Sequence, residues 1–143
     1  MEEIRGYEYL ALPYSHVNKS IEDCRAEVSN CIAAHLTKQG RIIFAPISAW
    51  HHIARKYALP GSFEYWSMLD EEFIKHCSKL LVISMDGCDK SKGLKLELEL
   101  ADKYGKPVEY IDPTPYIEEL NLGGILYGER CEEEELCLLG RTD

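Results

Sequence analysis

The chain has 143 residues, 45% of them hydrophobic and 29% charged, enough for one globular domain whose core needs neither disulfides nor metals. A net charge of −9 excludes binding of long nucleic acid, which needs a basic surface, but not of one small phosphate held by backbone N–H groups. No apolar run reaches the ~18–20 residues that span a bilayer, and the acidic start Met1-Glu2-Glu3-Ile4-Arg5 lacks a secretory apolar stretch. A cytoplasmic protein with no membrane partner is therefore expected.

Residues 7–12 form a short β-prone run closed by Pro13, which predicts a first strand. From about Ser20, Ile21, Cys24, Val28, Cys31, Ile32 and Leu36 recur at helical spacing, and Gly40 stands where a helix ends. Residues 41–45 read as a buried strand stopped by Pro46. Residues 47–57 offer a short helix before the Pro60-Gly61 turn. Residues 64–79 predict a second clear helix, with Trp66, Leu69, Phe73 and Cys77 on one stripe. The run Leu80-Leu81-Val82-Ile83-Ser84 predicts a central parallel strand covered on both faces.

Residues 93–103 are ambiguous by period alone, because Leu94, Leu96, Leu98 and Leu100 alternate with Lys95, Glu97 and Glu99. Residue type decides for a helix: no β-branched residue occurs there, and Leu, Lys, Glu and Ala are strong helix formers. On that helix Leu94, Glu97, Leu98 and Ala101 share a face, which sets Glu97 on the apolar stripe in the first turn. A carboxylate in that place is either a cap-type anchor or a reactive group. Residues 107–111 give the last strand. Strands alternating with helices imply one α/β domain with a parallel, Rossmann- or flavodoxin-like sheet between helical layers.

The six cysteines show no C-x-x-C and no zinc spacing with the five histidines, so reduced structural thiols are expected, with no metal and no cofactor. The acidic run at residues 132–135 reads as a solvated face or tail.

Gly93-Leu94-x-x-Glu97-Leu98-x-x-Ala101-x-x-x-Gly105-Lys106-Pro107-Val108 resembles the signature of the nucleoside 2-deoxyribosyltransferase superfamily and its nucleotide-hydrolysing relatives. Tyr9-Leu10-Ala11-Leu12-Pro13-Tyr14 is similar to the first-strand pattern of that superfamily, with Leu12 in place of a glycine, and Asp70 matches its aspartate before the central strand. Within the superfamily, the chain is most similar to the DUF1937 domains of unknown function. That pattern reappears as Pro13-Tyr14-Ser15-His16, Phe44-x-Pro46-Ile47-Ser48-x-x-His51, Leu59-Pro60-Gly61, Trp66 and Asp86-Gly87-x-x-x-Ser91-x-Gly93. The resemblance divides the chain into a transferase-like α/β domain at 1–112 and an acidic extension at 113–143.

The resemblance implies that Glu97 is a nucleophile at an anomeric carbon, Asp70 the acid that protonates a departing base, and Tyr9 the group that orients Glu97. Such bonds break through an oxocarbenium-like transition state, which a carboxylate stabilises or traps. Ser91 stands where the nucleoside transferases carry an aspartate and the monophosphate hydrolases a serine. With Gly93 it tilts the substrate toward a nucleoside 5′-monophosphate. Ser15 and His16 are expected to complete a phosphate pocket or to be plain turn residues. His51 and Trp66 are expected in a base-stacking wall, with a structural role for His51 as the alternative. Base exchange and nucleotide binding without turnover stay open beside hydrolysis. The resemblance also implies a homodimer or homotetramer.

Overall fold

The computed structural model describes residues 6–87 and 90–126. Residues 1–5, the run at 132–135 and Cys88, Cys131 and Cys137 lie outside the described residues. Four strands, β1 (Glu8–Ala11), β2 (Ile43–Phe44), β3 (Lys79–Ile83) and β4 (Val108–Ile111), form one all-parallel sheet in the order β2-β1-β3-β4. Among the described residues six helices accompany them: α1 (Lys19–Lys38), α2 (Pro46–Lys56), α3 (Phe63–His76), α4 (Lys92–Lys103), α5 (Thr114–Glu119) and α6 (Gly123–Leu126). No helix among the described residues is long and apolar enough to cross a membrane.

Alternation along β1 divides the core. Leu10 and Leu12 point to one side of the sheet, where they pack with Ile21, Val28 and Ile32 of α1 and with Ile117 and Leu126 of α5 and α6. Tyr9 and Ala11 point to the other, where they meet Ile74 of α3 and Leu94, Leu100 and Ala101 of α4. Leu80 to Ile83 of β3 are at most 1% exposed, as a central parallel strand requires. α1 begins with Asn18, whose side chain accepts the Ser20 N–H, and ends before Gly40, which adopts a φ of 87° that side chains rarely tolerate.

Three expectations change. The second strand is only Ile43–Phe44, an edge strand with Ile42 exposed, because it pairs with β1 alone. The third helix stops at His76, and Lys79 already belongs to β3. Ile74 rather than Trp66 or Leu69 is its fully buried residue. The leucine-rich segment is a helix as residue type indicates, but it starts at Lys92 and makes Glu97 its sixth residue, in the second turn rather than the first.

Charges lock the amino ends of the strands. Arg41 pairs with Glu8 of β1 at 2.5 Å and Glu109 of β4 at 3.3 Å, and Lys79 of β3 also reaches Glu109 at 3.0 Å. Opposite charges side by side on neighbouring strands favour one register.

Candidate functional site

Tyr9, Asp70 and Glu97 come from three elements and meet on the α3/α4 side of the sheet. The Tyr9 hydroxyl oxygen lies 2.6 Å from Glu97 Oε2 and 3.1 Å from Asp70 Oδ1. Tyr9 is 0% and Glu97 8% exposed, and Asp70 is half-buried. The phenol ring is held by an aromatic box: Phe44 lies 6.0 Å away and stacks on Phe73, and the Tyr7 hydroxyl donates to the Phe73 carbonyl. Beside Asp70, Glu71 accepts from Lys103 Nζ at 3.0 Å and from the Tyr104 hydroxyl at 2.6 Å, which ties α3 to the end of α4. These contacts fix the two helices that carry the two carboxyls.

Helix geometry also settles what Glu97 is not. A capping side chain must reach N–H groups of the first turn, and Glu97 stands beyond it. Ser91 caps α4 instead, its Oγ accepting the Leu94 N–H at 3.1 Å. Glu97 turns to Tyr9.

A phenol carries one proton. Both contacts of the Tyr9 oxygen are hydrogen bonds only when one of the two carboxyls is protonated and donates to it. The electrostatics agree. Burial raises the Asp70 carboxyl to about 6 against the lowering effect of the Tyr9 hydrogen bond. Burial, then the nearby Asp70 charge, raises Glu97 to about 8. Burial first, then the two carboxylates, holds the Tyr9 hydroxyl well above its ordinary value, so it stays protonated. The pair therefore titrates as a unit that keeps one proton near neutrality.

Around this pair the other predicted residues take distinct places. Gly93, in the exposed first turn of α4, has so much room that an added Cβ would meet only Ser91 Oγ at 4.0 Å. Nothing among the described residues requires a glycine there, and the bare turn leaves room for a ligand near backbone N–H groups. Ser15 is exposed and its carbonyl accepts from Arg25 at 3.0 Å. His16 is buried: its N–H donates to Glu22 at 3.1 Å and its Nδ1 accepts the Asn18 N–H at 2.9 Å. These bonds make His16 a bracket for the loop. His51, on α2, bonds the Tyr14 hydroxyl through Nδ1 at 2.5 Å and Asp23 through Nε2 at 3.1 Å. It thus has a carboxylate partner that sequence spacing did not reveal. Trp66 donates to the Pro60 carbonyl at 2.8 Å and lies 5.6 Å from Trp50, an aromatic pair joining α2 and α3.

Two residues escaped the sequence reading. Arg25 of α1 is 3% exposed and donates to the carbonyls of Tyr14, Ser15 and Asp86. It thereby joins the loop after β1 to the loop after β3. Glu22 accepts from the His16 N–H and from Arg55 at 3.3 Å. The signal was present: Arg25 falls four residues after Ile21 and three before Val28, on the buried stripe. Leu12, which departs from the first-strand pattern, packs on the α1 side of the sheet and so faces away from the carboxyl pair.

Residues 6–112 match the family described as a domain of unknown function, DUF1937. No curated protein matches the chain.

Proposed function

The chain belongs to the DUF1937 family, and we propose that it is an N-glycosidase of the nucleoside 2-deoxyribosyltransferase type that cleaves the base from a nucleoside or deoxynucleoside 5′-monophosphate. One observation carries the reading: two carboxyls on different helices both lie within hydrogen-bond distance of the one Tyr9 hydroxyl. A pair with one ionised and one protonated member is what nucleophilic displacement at an anomeric carbon needs.

Burial raises Glu97 further than Asp70, and the proposal starts from the proton on Glu97. Tyr9 supplies the route for exchanging it. As Glu97 gives its proton to the phenol oxygen, the phenol proton passes to Asp70, and charge is conserved. Positive charge developing at C1′ drives the exchange, because it stabilises an ionised Glu97. The Glu97 oxygen then bonds to C1′ while the N-glycosidic bond breaks, and the base leaves with the Asp70 proton. Water next attacks C1′, its proton returns to Asp70, and the ester opens to the free sugar phosphate and Glu97 carboxylate. The capped α4 N-terminus, with Ser91 and the bare turn at Gly93, offers donors to the 5′-phosphate.

Binding without turnover is the second reading, favoured by the same proton on Glu97, since a protonated carboxyl is no nucleophile. Incubating the chain with nucleoside monophosphates and nucleosides, and separating free base by chromatography, distinguishes them. Release of base from monophosphates without an acceptor supports hydrolysis. Product only when a second base is added makes the chain a base-exchange enzyme. No product, with a ligand bound, leaves a sensor.

A homodimer or homotetramer, without membrane or long nucleic acid partners, completes the proposal. Ile53 and Tyr57 of α2 and its C-cap, and Phe63, Tyr65 and Met68 of α3, are 41–81% exposed, which suits association with a second copy. Sedimentation of a monomer at working concentration would remove that part.

A further inference from the structure

Across the sheet from the carboxyl pair, three donors of different chemistry converge. Cys31 and His35 stand one turn apart on α1, and Glu119 closes α5. Glu119 lies 3.3 Å from Cys31 Sγ through Oε2, and 2.9 Å from His35 Nε2 through Oε1. The three donor atoms all fall within 4.8 Å of one another.

We propose that Cys31, His35 and Glu119 form a zinc site that clips α5 onto α1. Zinc takes thiolate, imidazole and carboxylate together, and bonds of ~2.0–2.3 Å at tetrahedral angles separate such donors by ~3.3–3.6 Å. A single oxygen, Glu119 Oε2, lies 3.3 Å from Cys31 Sγ and 3.2 Å from His35 Nε2, which already approaches those edges. Two ligands sit on a rigid twenty-residue helix, and the third is anchored by Ile117 of α5, 1% exposed in the core. The Tyr116 ring, 5.4 Å from that of His35, fixes the imidazole orientation. Water takes the fourth position.

On binding, the Cys31 S–H releases its proton to solvent and the sulfur donates to the metal. α5 lies beyond residue 112, where the family match ends, so the third ligand belongs to this chain's extension. The site faces away from Glu97, and its role is structural. It is independent of the glycosidase reading.

The test is a titration of the full, reduced chain with cobalt(II) and then zinc(II), followed by absorption and by thermal melting. The expected result is a thiolate-to-cobalt charge-transfer band at equimolar metal, its loss on zinc addition, and a melting temperature raised by zinc. Cys31→Ser removes the band, and Glu119→Gln and His35→Gln remove the zinc-dependent rise in melting temperature. Cys24→Ser, away from the cluster, keeps both. These ligand positions are half-buried or exposed, and circular dichroism checks that each variant is folded. No equimolar binding, or a band that survives Cys31→Ser, overturns the proposal.

Discussion

Tyr9 holds one hydroxyl proton between two carboxyls, and its removal separates the roles of all three residues. The Tyr9 hydrogen bonds lower both carboxyl pKa values against the burial that raises them. Tyr9→Phe is therefore expected to slow base release and to move the whole pH profile upward. In the wild-type protein the profile is expected to be bell-shaped, with limbs near about 6 and about 8, because only the singly protonated pair is productive. A profile of kcat against pH for both proteins checks this, and an unchanged Tyr9→Phe profile would contradict it. Asp70→Asn keeps the shape but not the proton, so release should fall by roughly 10²–10⁴-fold. The loss should shrink for bases that leave without protonation.

At the level of elements, α4 carries both the capping Ser91 and Glu97, and one substitution separates fold from ligand. Aspartate caps a helix as well as serine does, but its charge repels a phosphate at the same N-terminus. Ser91→Asp is expected to leave the melting temperature nearly unchanged while weakening monophosphate binding more than nucleoside binding. Ser91→Ala is expected to cost about 1 kcal/mol of stability. Calorimetry with both ligands and a thermal melt of both variants check the pair. Equal loss for nucleoside and monophosphate would detach Ser91 from the phosphate.

This helix also marks how far the sequence could be read. Its type followed from residue chemistry, since leucine and lysine without β-branching favour a helix over the alternating strand pattern. Its start was readable only from Ser91, whose capping role puts the first helical residue at Lys92 and not at Gly93. Counted from Lys92, Glu97 is the sixth residue and lies in the second turn. The burial of Leu80 to Ile83 of β3 was legible from an unbroken apolar run. The partners of His51 and His16 were not, because Asp23 and Glu22 approach them only after α1 folds back along the sheet. Cys31 and His35 were hidden for a related reason: their spacing becomes a shared face only on a helix, and Glu119 is far away in sequence.

Across the whole molecule, the buried pair makes stability depend on pH. Glu97 ionises near 4.5 in the unfolded chain but keeps its proton to about 8 when folded. Within that window the folded state holds a proton that the unfolded state has released. Stability contributed by the protonated acid is thus full below 4.5 and is lost as pH rises toward about 8. The slope is at most about 1.4 kcal/mol per pH unit. Urea denaturation of wild type and Glu97→Gln at several pH values isolates the pair's contribution, because groups outside the pair cancel in the difference. The wild type should lose stability relative to the variant as pH rises, and parallel curves would contradict burial of the ionisable pair.

The central claim is that Glu97 reacts with the sugar of a nucleotide. It is tested most directly by measuring free base released from nucleoside monophosphates by wild type and Glu97→Gln, with binding measured alongside. Release by the wild type, abolished in Glu97→Gln while nucleotide affinity is nearly kept, is the predicted result. Undiminished release by the variant would contradict it, as would a wild-type protein that binds nucleotides and never frees a base.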